Sequence, residues 1–155
     1  MVNKLLELLE PTAVCLDFEA PDSCAVIQKL GDLLFDAGYV RDTFVGAALA
    51  REEQLPTGLP LGGAINAAIP HTDVEHVKKP GLAMATLAKP VVFQNMVDKD
   101  EAVQVRLVFL LSLDQPKAQI EMLQEIAGVL QNSEVVSSLI EAKTYEDVCK
   151  SLSSI

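Results

Sequence analysis

The chain carries only two histidines, and both lie in one short stretch, NAAIPHTDVEH, from Asn66 to His76. His71 directly follows Pro70, which ends a short apolar run. Near neutral pH an imidazole has a substantial unprotonated fraction, and its bare ring nitrogen is a nucleophile. The other nitrogen keeps its proton and needs an acceptor that fixes the tautomer. Asp73, Glu75 or a backbone carbonyl can supply one. If the group arriving at the bare nitrogen is a phosphoryl, its oxygens need donors. Arg51, Thr57, Thr72 and the N–H groups of a Gly-rich loop are the candidates.

The same residues admit blander readings. A lone histidine in a loop is most often ordinary surface. A metal site is the other sharp reading of HTDVEH. His71 and His76 stand at i and i+5, off a common helix face, unlike the i, i+4 pair of HExxH, and no third strong ligand stands out. Arg51, followed by Glu52 and Glu53, reads by default as solvated charge, and Gln119 as an exposed helix position. The methionines read as core filler.

The stretches around these residues must hold them. Ile69 precedes a proline and is pushed to extended geometry, and Pro70 fixes its own φ. INAAIP is therefore a short strand, with His71 projected from its stiff end. LPTGLPLGG (55–63), dense in Pro and Gly, is a loop. Before it, AVCLDF (13–18) reads as a strand. Asp22 and Ser23 cap a helix with Val26, Ile27, Leu30, Leu33 and Leu34 on one face, and Gly38 is a plausible stop. A second helix starts at Asp42 and carries Arg51 late. GLAMATLAKPVVF is a further apolar run. AVQVRLVFLLSL alternates at Val103, Val105 and Leu107, then turns continuously apolar like a strand covered on both faces. After Pro116 comes a helix with a stripe through Ile120, Leu123, Ala127 and Leu130, widened by Met122, Ile126 and Val129. Two short helices begin at Ser133 and at a capping box, Thr144 with Asp147. Interleaved strands and helices predict an α/β sandwich around a largely buried sheet.

Composition bounds the function. The 155 residues suit one domain, and the net charge of −10 argues against a nucleic-acid partner. Apolar runs fall short of a membrane span, and MVNKLLELLEP lacks the features of a secretory signal. Three widely spaced cysteines, Cys15, Cys24 and Cys149, form no CxxC pair and suggest reduced, cytoplasmic thiols.

The ordered set ALAREEQLPTG, AAIPHTD, LAKPVVFQNMVDKDEAVQVRLVFLLSL and QIEMLQEIAGVL resembles the IIA component of the bacterial phosphoenolpyruvate-dependent sugar phosphotransferase system, fructose–mannitol class. The resemblance covers nearly the whole chain, 1–155, as one type 2 IIA domain. It implies a mixed, mostly parallel sheet sandwiched between helices. It also implies that His71 accepts a phosphoryl group from the histidine-containing phosphocarrier protein and donates it to a cysteine of a IIB component. A IIC membrane component then moves the sugar. Arg51 matches the family arginine expected to hold phosphate oxygens. Gln119 stands where mannitol-type relatives have a second active-site histidine. With AREEQLPTG and the match at His76, it looks closer to galactitol-type proteins. Thr57, Thr72 and His76 are the expected phosphate-binding or supporting residues, and Leu59, Leu61 and Ala68 a docking rim. No metal or other cofactor is expected. The resemblance also allows a standalone regulator controlled by His71 phosphorylation.

Overall fold

A computed structural model describes residues 4–153. A short helix α1 (Lys4–Leu8) leads into β1 (Leu9–Phe18), then α2 (Ser23–Asp36) and α3 (Phe44–Gln54). Next come two short strands, β2 (Gly58–Leu59) and β3 (Asn66–Ala68), and a 3-10 turn at Val74–His76. Two long strands, β4 (Gly81–Gln94) and β5 (Ala102–Ser112), precede α4 (Pro116–Leu130), α5 (Ser133–Glu141) and α6 (Tyr145–Ser153).

The strands form one mixed sheet in the order β1-β4-β5-β3-β2. Pairing is parallel between β1 and β4 and between β3 and β5. It is antiparallel between β4 and β5 and between β2 and β3. Helices cover both faces, which is why the central strands read as unbroken apolar runs. Leu82 and Met84 of β4, with Leu107, Phe109 and Leu111 of β5, face α4, α5 and α6. The alternate residues Ala83, Ala85, Val108 and Leu110 face α2 and α3.

The alternation in β5 breaks once. Asn66 pairs with Val105 but the next residue, Ala67, pairs with Leu107, so Arg106 is an inserted bulge residue. Val103 and Val105 consequently pack on the α2–α3 side and Leu107 on the other. The three residues expected to share one face are split by this bulge. Arg106 Nε donates to the Leu87 carbonyl at 3.0 Å, tying the bulge to β4.

Local signals account for most helix ends. Asp22 caps α2 by accepting from Ala25 N–H at 2.9 Å. Thr144 and Asp147 bond each other's backbone N–H groups ahead of α6, the reciprocal pattern of a capping box. The second helix starts later than Asp42: Thr43 is the cap residue, and its hydroxyl is bonded to His76 Nδ1 at 2.8 Å rather than to the helix. The α4 stripe is rotated from the expected one. Met122, Ile126, Val129 and Leu130 are buried, whereas Ile120 is exposed and Leu123 half-buried. Cys15, Cys24 and Cys149 are free thiols. Among the described residues no helix is long and apolar enough to cross a membrane.

Candidate functional site

The Pro- and Gly-rich segment before β3 is more ordered than a loop. Gly58 and Leu59 pair with Ala68 and Ala67 as β2. The close packing requires glycine at 58, because a Cβ there would lie 2.6 Å from the carbonyl oxygen of Gln94. The Gly58 carbonyl accepts the Met96 N–H at 2.8 Å, so the β4–β5 connection is fastened to the same spot.

Ile69 and Pro70 run between this strand and β5. The Ile69 N–H donates to the Thr57 carbonyl at 3.3 Å, and the Pro70 carbonyl accepts the Leu111 N–H at 3.2 Å. His71 leaves this fixed pair with only 9 % of its surface exposed. Its Nδ1 lies 2.9 Å from the Ile69 carbonyl oxygen. A carbonyl only accepts, so Nδ1 carries the proton and Nε2 holds the lone pair. The tautomer is thus set by the backbone, not by Asp73 or Glu75. Burial is the largest influence on the ring and pushes its pKa below the ordinary imidazole value. The Ile69 bond opposes this, Arg51 adds to it, and Asp73 opposes it.

Arg51 lies in the last turn of α3 and lines the same surface depression as His71. This depression, about 410 Å³, is also lined by Leu55, Thr57, Met96, Val97, Lys99 and Leu123. Arg51 Nη1 reaches Asp73 Oδ1 at 3.4 Å, a long contact. Its Nε is buried and has no hydrogen-bond partner. Gln119 Oε1 is likewise buried without a partner; these are the two such side-chain atoms among the described residues. Gln119 is in the first turn of α4, one turn before Leu123, and is half-buried.

The other candidates divide. Thr57 is buried, but its hydroxyl and its N–H both donate to the Glu52 carboxylate, each at 2.8 Å. Its donors are therefore engaged, and its place is in the wall rather than as a free phosphate ligand. Thr72 is buried next to His71 in the chain, and its hydroxyl bonds no other described residue. His76 is tied to Thr43 at the start of α3, the opposite end from Arg51 and ~12 Å away along the helix. It anchors the turn after His71. Leu59, Leu61 and Ala68 do not form a rim: Ala68 is fully buried and both leucines pack on the core. The apolar residues exposed at the depression are Leu55, Met96 and Val97, the last 90 % exposed. The signal for Met96 and Val97 was present in the sequence as LAKPVVFQNMVDKD, whose strand continues to Gln94 and turns beside the site. Glu52 was missed because a charged pair after Arg51 suggests solvent. Among the described residues no group of three or more His, Cys, Asp or Glu side chains converges as metal ligands would.

A mixed sheet between helices, with a backbone-oriented imidazole and an arginine lining one surface depression, defines an α/β domain with a candidate histidine site. Such an imidazole suits an electrophile that carries negative charge. The chain belongs to the family of the phosphoenolpyruvate-dependent sugar phosphotransferase system, EIIA 2, whose family model matches residues 7–155. It is 35% identical over 120 residues to the galactitol-specific EIIA component of Escherichia coli K12, covering 77% of this chain and 78% of that one. It is 32% identical over 110 residues to the transcriptional regulator ManR of Bacillus subtilis, 71% of this chain but 15% of that protein. Its fold matches that of the mannitol IIA of Escherichia coli, solved in complex with phosphorylated IIB, at a TM-score of 0.78. That likeness is 24% identical and covers 95% of this chain and 98% of the other. The protein is a IIA component of a sugar phosphotransferase system, of galactitol-like sequence.

Proposed function

We propose that the protein is a cytoplasmic phosphocarrier and that Nε2 of His71 is the atom that carries the phosphoryl group. The observation that carries this reading is the Nδ1–H bond to the Ile69 carbonyl, which leaves Nε2 as the bare nitrogen. In the first transfer the Nε2 lone pair attacks phosphorus on the phosphohistidine of the histidine-containing phosphocarrier protein. A new N–P bond forms, the donor's N–P bond breaks, and its electrons return to the donor ring. In the second transfer a cysteine thiolate of a IIB component attacks the same phosphorus, and the His71 N–P bond breaks. A IIC membrane component would then serve the sugar, probed first as galactitol.

Arg51 supplies positive charge and an unengaged Nε–H for the phosphoryl oxygens. Gln119, with an unpaired amide oxygen in the adjoining helix, is the second donor in this reading, since an amide can be turned to present its NH₂. The Thr72 hydroxyl is a third. His76 takes no part beyond holding the turn. The exposed Leu55, Met96 and Val97 give partners an apolar landing next to the nucleophile.

The test is labelling with phosphoenolpyruvate, enzyme I and the phosphocarrier protein, followed by NMR of the ring nitrogens. Nε2-phosphohistidine at position 71 is expected, and none in His71→Ala. Equal labelling of His71→Ala, or phosphate on Nδ1, refutes the assignment. The match to ManR favours a second reading, a regulator switched by His71 phosphorylation. Onward transfer to a IIB cysteine separates the two: a pure regulator does not deliver it.

A further inference from the structure

We propose that Glu52 is a positioning residue for His71, acting through Thr57 and Ile69. The inference rests on the reading of His71 as the nucleophile. Four hydrogen bonds make the connection. Glu52 Oε2 accepts the Thr57 N–H and Oε1 accepts the Thr57 hydroxyl, both at 2.8 Å. The Thr57 carbonyl accepts the Ile69 N–H at 3.3 Å. The Ile69 carbonyl accepts His71 Nδ1–H at 2.9 Å. Glu52 follows Arg51 directly in α3, so this chain of bonds joins the helix that carries the arginine to the ring that carries the lone pair.

The placement is unusual for a surface charge. Glu52 is half-buried and has no Lys or Arg at ion-pair distance among the described residues. Burial pushes its carboxyl above the ordinary range, and the two Thr57 bonds pull it back. A partly desolvated carboxylate with no cation is costly unless its hydrogen bonds offset the lost solvation. Here they close the turn between α3 and β2, and that turn presents the carbonyl that holds Ile69.

The acceptor geometry, not the charge, is what this role requires. Glutamine keeps it, because its oxygen can accept the Thr57 N–H and its NH₂ can donate to the Thr57 hydroxyl. Aspartate is one methylene too short to reach both, and alanine reaches neither.

The experiment measures ¹⁵N shifts of the His71 ring and the rate of phosphoryl acceptance in wild type, Glu52→Gln, Glu52→Asp and Glu52→Ala, with melting curves for each. The wild type is expected to hold the Nδ1–H tautomer. Glu52→Asp and Glu52→Ala are expected to mix the tautomers and slow acceptance by about tenfold or more, since a ~1 Å misplacement can cost 10²-fold. The KM for the phosphocarrier protein is expected to stay near wild type, and Glu52→Gln to recover most of the rate. A wild-type tautomer and rate in Glu52→Asp and Glu52→Ala overturns the proposal. So does a Glu52→Gln variant as impaired as the alanine one, because charge would then be what matters. If the wild type takes no phosphate on His71, the phosphocarrier reading fails, and the tautomer comparison still decides the role of Glu52.

Discussion

Arg51→Ala tests the site most directly, and its expected size follows from what the guanidinium does and does not touch. Its contact with Asp73 is 3.4 Å, longer than the roughly 2.7–2.9 Å of a firm charge-assisted bond. The side chains are 32% and 69% exposed, so the pair contributes at most about 1 kcal/mol to stability. The melting temperature should therefore move little. The effect on transfer is larger, because Nε is buried with no partner and is free to meet charge that develops on phosphoryl oxygens. Removing one preorganised donor of that kind costs about 2.7–4 kcal/mol, or ~10²–10³ in rate. Arg51→Lys keeps the charge but loses the planar fork, and its rate should fall between alanine and wild type. The assay is rapid-quench transfer of labelled phosphate from the phosphorylated carrier protein. It is best run near pH 8, since losing Arg51 also removes one influence that lowers the His71 pKa. An alanine variant within about threefold of the wild-type rate, with equal stability, refutes the reasoning.

Gly58→Ala should unseat the site from below. Its Cβ would meet backbone, the Gln94 carbonyl oxygen at 2.6 Å, and such overpacking costs about 1–3 kcal/mol. A lower urea midpoint together with slower His71 labelling is expected; unchanged values for both count against the close packing. Gln119→Leu removes a buried, unpaired amide oxygen, so stability should hold or rise by about 1 kcal/mol while transfer slows. Loss of stability without loss of rate would reverse that assignment. Labelling of His71 should stay fast as pH drops to the ordinary imidazole value and decline only below it, because burial holds the folded pKa lower. By linkage, His71 leaves the native state with fewer bound protons than the unfolded one between those two values. Its contribution to stability is full above the unfolded pKa and is lost as pH falls through that window. Urea titrations of wild type and His71→Asn between pH 8 and 5 would show the difference, and parallel curves would contradict it.

How far the sequence reaches depends on how local each cause is. Pro70 and the strand end were legible because proline geometry acts on adjacent residues. So were the Asp22 cap, the Thr144–Asp147 box and the doubly buried β5. What stayed hidden depends on partners far along the chain. The Arg106 bulge appears only when β3 and β4 are set beside β5. β2 exists because Ala67 and Ala68 are there to pair with it. The α4 stripe turned out rotated because Ile120 points to solvent and Leu123 is shared between the core and the depression. The partners of His76 and Glu52 were hidden for the same reason. His76 shares a motif with His71 but bonds the far end of α3, while Glu52 reads as solvent charge and bonds the wall of the site.

The Ile69 carbonyl also bears on how one imidazole can both take and give a phosphoryl group. Acceptance favours a neutral ring with its lone pair on Nε2. Donation favours a ring that still holds a proton on Nδ1, since that ring leaves phosphorus as neutral imidazole, whereas one without the proton would have to leave as an imidazolate anion. A ring free to change tautomer would satisfy these demands only by moving protons between the two transfers. Here Nδ1–H is fixed at 2.9 Å from the Ile69 oxygen before any phosphate arrives. In the proposed cycle the same proton stays in place when the N–P bond forms, where it supports the charge growing on the ring against the penalty of burial. It remains when the thiolate takes the phosphorus and the electron pair returns to Nε2. Both transfers close with no net proton movement, so the site has no need of a carboxylate base. Asp73, exposed and turned to Arg51 rather than to the ring, is consistent with that economy of groups.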